Sequence, residues 1–164
     1  MRKFAHDLAK NDAGAAAVEF ALIVPLLLLM ILGVTELGQI VHQRSVLDSA
    51  ARAGTQAAFS ATLTTSGGRT AAETAMTTAA NDAFNNGLPG DSYTFTSPTP
   101  EITCECSDGS ACSTFTCVTG SVRYIAKVEM SKSYTPLFNL ANLPGGFSLD
   151  LTMTLTGLSE MWVK

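Results

Sequence analysis

Hydrophobic residues are spread unevenly along this chain. From Ala15 to Val34 they are nearly continuous, and Glu19 is the one charged residue among them. The span holds 20 residues. As a helix it reaches about 30 Å, the thickness of a bilayer hydrocarbon core. Pro25 lies inside it. Proline costs about 3 kcal/mol in a soluble helix interior, but neighbouring groups in a membrane can satisfy the carbonyl it frees. Beyond Val34 the apolar residues thin to a stripe. Leu37, Ile40, Val41, Leu47, Ala50 and Ala51 recur mostly at three- and four-residue spacing, and Arg44 interrupts them. The pattern predicts one long helix from about Gly14 to about Ser60, apolar below and amphipathic above. Ser66-Gly67-Gly68 is expected to break it, within a linker over 62–69.

Thr70-Ala71-Ala72-Glu73 matches a capping box. Behind it Ala72, Ala75, Met76, Ala79, Ala80, Ala83 and Phe84 fill a helical stripe, which Gly87 and Pro89 end. This predicts a short second helix with a thin apolar face, suited to close packing on the first. From Asp91 the period becomes two. Tyr93 and Phe95 alternate with threonines. Val122, Tyr124, Ala126, Val128 and Met130 alternate with polar residues, Ile125 being the apolar exception on the outer face. Leu149, Leu151, Met153 and Leu155 alternate with Asp150, Thr152 and Thr154. These read as half-buried antiparallel strands. Pro98, Pro100, Asp108-Gly109 and Pro144-Gly145-Gly146 mark turns. The expected class is α+β: a long N-terminal transmembrane and amphipathic helix, plus a second helix, on a small antiparallel sheet.

A chain of 164 residues holds one membrane segment and one domain of roughly 100 residues. The net charge of −4 gives no broad basic surface, so nucleic acid is not an expected partner. Four cysteines, Cys104, Cys106, Cys112 and Cys117, fall within 14 residues. An even cluster behind a membrane segment reads as two disulfides in an oxidising compartment. Zinc and free thiols are the alternatives. The spacing lacks the paired C-x-x-C of zinc sites, and His6 and His42 flank the membrane segment instead. Arg2, Lys3 and Lys10 precede the apolar run, and Arg44 and Arg52 follow it. That small excess favours a cytoplasmic N-terminus. The cysteines add a stronger vote, since they need the C-terminal part outside. No small-x-small cleavage site follows Val34 closely, because Ala51-Arg52-Ala53 lies 17 residues beyond it. The segment is therefore expected to remain in the mature protein rather than act as a secretory signal.

No nucleophile–base–acid set is apparent, and neither Gly67-Gly68 nor Gly145-Gly146 has the context of a phosphate loop. The chain is not expected to be an enzyme or to carry a cofactor or metal. The candidate chemistry sits at the head of the apolar run, where Gly14 precedes Ala15 and Glu19-Phe20 follows. A carboxylate costs roughly 2.5–3.5 kcal/mol at a bilayer centre, and less near an interface. One reading is an ordinary anchor whose Glu19 snorkels to the cytoplasmic face. In the other, a protease cuts after Gly14 and frees the Ala15 amine, which is mostly protonated near neutral pH. Glu19 of one copy could then pair with that ammonium on a neighbour. A charge in a low-dielectric setting needs such a partner, so the pairing would favour one axial register.

The run Gly14-Ala15-Ala16-Ala17-Val18-Glu19-Phe20-Ala21-Leu22 resembles the TadE-like proteins of tight-adherence pilus systems. Pro25-Leu26-Leu27-Leu28-Leu29, Glu36-Leu37-Gly38 and Ala50-Ala51-Arg52-Ala53-Gly54 extend the likeness. The glutamate–phenylalanine pair after a glycine looks like that family's prepilin-peptidase site. The specific match runs from Gly14 to Gly54. Beyond it the likeness is one of layout, a helix followed by a strand-rich extracytoplasmic part. The resemblance implies a minor pilin-like subunit, a pseudopilin, that helps initiate or assemble a thin adhesive pilus. It would have a leader over 1–14, a transmembrane segment over 15–34 and an extracytoplasmic α+β domain over 35–164. It would sit once across the inner membrane, N-terminus inside. Its partners would be a prepilin peptidase, other pilin and pseudopilin subunits, the inner-membrane assembly platform and the bilayer. The rivals are an unprocessed, membrane-anchored binding domain and, more distantly, a periplasmic enzyme.

Cys104 and Cys106 are two apart, so on a strand they share a face. A nested pairing, Cys106–Cys112 inside Cys104–Cys117, keeps both bridges in one hairpin and is the expected connectivity of the three that four cysteines allow. Such short loops should contribute about 2–3 kcal/mol each or less.

Overall fold

The computed structural model describes residues 12–95, 100–110, 112–136 and 152–163. The chain divides into two compact units, Met1–Gln39 and Ile40–Lys164. Helix α1 covers Asp12–Ala57, and a 3-10 turn over Ala58–Ser60 follows it. The predicted long helix is thus present to within a turn at either end.

In the first unit α1 is long and apolar enough to cross a membrane, and none of its most apolar stretch is buried in the protein. Leu22, Leu29 and Val34 are about 70 % exposed (74, 69 and 71 %), so this surface needs an apolar medium other than the fold itself. Pro25 sits within the helix without ending it. The Thr35 hydroxyl donates to the Ile31 carbonyl one turn back, which spares the segment an unpaired polar group.

The second unit is α+β, with helices on one face of an antiparallel sheet. Leu47, Ala50, Ala51 and Ala58 of the first helical stretch are fully buried. Helix α2 spans Ser66–Gly87 and buries Ala72, Met76, Ala80 and Phe84, the stripe that its spacing predicts. Its start differs from the expectation. Thr65 is the N-cap, its side chain accepting from the Gly68 N–H at 3.1 Å. Thr70–Glu73 is therefore no capping box, and Glu73 Oε1 instead accepts from the Ile102 N–H at 3.4 Å. Ser66-Gly67-Gly68 is the first helical turn rather than a break. A Cβ on Gly68 would overlap the Thr62 carbonyl oxygen, so glycine is there to let the chain double back closely. At the other end Leu88 caps α2, as Gly87 and Pro89 predict.

The sheet contains β1 (Thr94–Phe95), β2 (Glu101–Cys106), β3 (Val122–Tyr134) and β4 (Met153–Val163). Strand β3 is central. Both β1 and β2 pair with it antiparallel, at Ser131–Met130 and Lys127–Val122. Strand β4 runs antiparallel along it from Tyr134↔Met153 to Tyr124↔Val163. The inner face of β3 is Tyr124, Ala126, Val128 and Met130, as alternation predicts. The face continues with buried Lys132 and Tyr134. The predicted positions Leu149 and Leu151 lie outside the described residues. Of the other two, Leu155 faces inward, while Met153 stays 40 % exposed. Farther along β4 the inward positions are Gly157, Ser159 and Val163, and Leu158 and Trp162 face out.

Two small residues set how closely α1 approaches its neighbours. A Cβ on Gly54 would lie 3.1 Å from the Met76 carbonyl and from Val128 Cγ2. One on Gly157 would lie 2.5–2.8 Å from Leu47 and Asp48 backbone atoms. Beside this contact, Thr55 donates to the Arg52 carbonyl at 3.0 Å and lies 2.9 Å from Ser159 Oγ. The Thr55 hydroxyl has one proton, so Ser159 is the donor in that pair.

Candidate functional site

The head of α1 presents the residues singled out for processing and assembly. Gly14 is half-buried, and the Gly14–Ala15 bond lies within α1. Glu19 and Phe20 are exposed, Phe20 at 67 %. Among the described residues Glu19 makes no ion pair. The arrangement leaves an acceptor-only side chain on an apolar helix surface, with capacity for a cation from outside the chain.

The four cysteines form two disulfides, as expected, but the nested pairing is corrected. Cys104 bonds Cys112 and Cys106 bonds Cys117, so the bridges cross. Cys104 and Cys106 do share the inner face of β2, opposite Tyr124 and Val122. From Cys106 the chain turns at Gly109, where φ is +80° and the N–H returns to the Cys106 carbonyl at 2.9 Å. It then reverses a second time at Ser113–Thr116. A simple hairpin has one reversal and nests its bridges, whereas the second reversal carries Cys117 back to Cys106.

That second turn places Thr114 and Phe115 at φ 53° and 58°, a conformation usually left to glycine or asparagine. Its gain is the position of Phe115. The ring stacks on Tyr124, with centroids 6.2 Å apart, and the Arg69 guanidinium lies 3.8 Å from its centroid. Arg69 also donates to the Leu63 carbonyl at 3.1 Å. The cysteine loop thus closes the end of the core beside the start of α2, and the bridges hold it there. Among the described residues no cysteine is free.

Asp108 braces the outer turn. Its carboxylate accepts from Ser110 Oγ at 2.6 Å, Thr119 Oγ1 at 2.6 Å and the Ser110 N–H at 3.0 Å. The Ser110 hydroxyl first, then that of Thr119, holds the carboxyl at about 2, against an ordinary 3.8. A pKa lowered by folding contributes stability above about pH 4 and loses it as pH falls through about 2. Proton NMR titration of Asp108 should give a midpoint near 2. In Asp108→Asn the loop resonances should no longer move through that range.

Sequence reading missed a buried cation. Lys132 is 8 % exposed on the inner face, its Nζ 2.9 Å from Gln43 Oε1 and 3.3 Å from Asp91 Oδ2. It ties α1 to the loop behind α2. The signal was available: Lys132 continues the inward parity of β3 beyond Met130.

These features define a protein with one helix suited to membrane anchoring and a disulfide-braced α+β unit behind it. Over residues 14–56 the chain matches the family model described as TadE-like protein, and this segment is TadE-like. The match covers both the apolar helix and the Ala50–Gly54 face that packs in the core. No curated protein matches the chain. No solved structure matches it either.

Proposed function

We propose that this chain is a non-enzymatic, pseudopilin-like subunit that helps assemble a tight-adherence pilus. The observation carrying this reading is the coincidence of the TadE-like match over 14–56 with a continuous α1 that displays Glu19 from an apolar surface. In this reading a membrane prepilin peptidase cuts between Gly14 and Ala15, leaving Ala15 as the new N-terminus. The apolar part of α1 sits in the inner membrane, and the disulfide-braced unit lies outside. Glu19 then meets the Ala15 ammonium of a neighbouring pilin or pseudopilin, beside the membrane assembly platform.

The test is the N-terminal residue. Intact-mass analysis of protein from membranes with an active peptidase should show a chain beginning at Ala15. Gly14→Leu puts bulk at the cleavage position and should leave the full-length mass. A wild-type N-terminus at Met1 or Arg2 overturns the reading in favour of an unprocessed anchored domain.

A further inference from the structure

The crossed bridges lie against each other. The sulfurs of Cys106, Cys112 and Cys117 are all within 4.8 Å of one another, although they belong to two different disulfides. Their surroundings differ. Cys106 is 1 % exposed, whereas Cys104, Cys112 and Cys117 are partly exposed. Attack on Cys104–Cys112 from solvent can therefore expel a thiolate on a partly exposed residue, whereas attack on Cys106–Cys117 at its more exposed end would expel the buried Cys106.

We propose that this pair is a thiol–disulfide exchange site, entered at Cys104–Cys112 by a dithiol reductant or dithiol oxidoreductase, with Cys112 as the internal nucleophile. In the opening step one thiolate of the dithiol attacks a sulfur of Cys104–Cys112, and its second thiol resolves the mixed disulfide. The dithiol gives up two electrons and becomes a disulfide, and Cys104 and Cys112 become thiols. The next step needs no further oxidant or reductant. The Cys112 thiolate attacks Cys106 Sγ; the Cys106–Cys112 bond forms, the Cys106–Cys117 bond breaks and the electron pair leaves on Cys117.

Direction follows from burial. Attack at Cys117 would instead expel a thiolate at Cys106, where desolvation disfavours charge. Attack at Cys106 expels Cys117, which water reaches, and a more stable thiolate leaves faster. The Cys104 thiolate then attacks the disulfide form of the dithiol and Cys117 resolves the mixed disulfide; the dithiol takes back its two electrons, and the Cys104–Cys117 bond completes the nested pairing. The crossed and nested forms are therefore linked through one internal exchange, and the loop carrying Phe115 is rethreaded between them.

Two measurements on the full-length, detergent-solubilised protein test this. Cleavage after Glu105, before Asp108 and after Phe115 separates all four cysteines for mapping. First, Cys104→Ser leaves Cys112 without its partner. Held at mildly alkaline pH, acid-quenched and alkylated, it should yield Cys106–Cys112 with label on Cys117, beside the original Cys106–Cys117 with label on Cys112. Label on Cys112 alone at all times overturns the proposal. Second, wild type given less than one equivalent of dithiothreitol should lose Cys104–Cys112 first. Label should then move from Cys112 to Cys117, leaving Cys104 labelled throughout. Loss of Cys106–Cys117 first, or label that stays on Cys104 and Cys112, overturns it. The wild-type series decides the matter if the variant does not fold.

Discussion

Glu19→Ala should abolish or severely reduce piliation while the protein still enters the membrane. The expectation follows from where the carboxylate sits. It lies on an exposed face of the apolar part of α1, where Phe20, Leu22 and Ile23 are also exposed. Removing a charge from such a segment lowers the cost of insertion, by up to roughly 2.5–3.5 kcal/mol at the bilayer centre and less toward an interface. Membrane yield should therefore stay level or rise. Assembly should fail for a different reason. In the proposed assembly, loss of the carboxylate would leave a neighbour's Ala15 ammonium unpaired in a poorly solvated setting, and breaking such a pair costs about 3–5 kcal/mol when buried. Carbonate-washed membranes and pilus counts by electron microscopy give the two readouts. Wild-type piliation with Glu19→Ala would leave Glu19 as a residue that merely snorkels to the membrane surface.

Gly157→Val should unfold the unit over 40–164 or leave it grossly destabilised, and Gly157→Ala should weaken it by about 3 kcal/mol or more. The contacts at this position are with backbone. A Cβ would sit 2.5 Å from the Leu47 carbonyl carbon, 2.6 Å from its oxygen and 2.8 Å from the Asp48 nitrogen. Flexible side chains can move out of the way, but a helix backbone moves only as a whole. Relieving the clash would lift α1 from β4 and separate Thr55 from Ser159, leaving buried hydroxyls short of partners. Thermal or urea unfolding of the purified protein measures this. Gly38→Ala is the control, since nothing lies within 4 Å of a Cβ there, and it should leave stability unchanged or slightly raised.

Gly157 also shows why part of the fold escaped the sequence. The long helix, the α2 stripe and the inner face of β3 were legible because large apolar residues fall at the spacing that buries them. Strand β4 was legible only near Leu155. Its next inward positions, Gly157 and Ser159, are small or polar, since they meet a helix backbone and a threonine rather than a greasy surface. Leu158 and Trp162 face solvent, reversing the usual alternation. Periodicity reports hydrophobic burial, so it misses an interface built from backbone contact and hydroxyl pairing. The same limit explains the cysteines. That they form bridges was readable from number and context. Which bridges form depends on a reversal at Thr114-Phe115, whose residues carry no turn signature and adopt positive φ to seat one ring. At the start of α2 the Gly67-Gly68 pair was read as a break, although Gly68 serves close approach to Thr62. In the N-terminal segment the family match coincides with the residues first picked out, because that stretch is recognised from a local run of side chains.

The contact between Thr55 and Ser159 joins residues 104 positions apart, and it has a consequence for the order of events. The inner face of α1 is made early, but the surface that receives Leu47 and Thr55 is completed only when β4 arrives. Closing so long a loop is entropically slow. Until then the small-residue face around Ala50, Ala51 and Gly54 stays open on one side. A chain made N-terminus first would thus complete α1 well before the unit over 40–164 could fold. For that interval the unfinished face would be open to whatever meets the nascent chain.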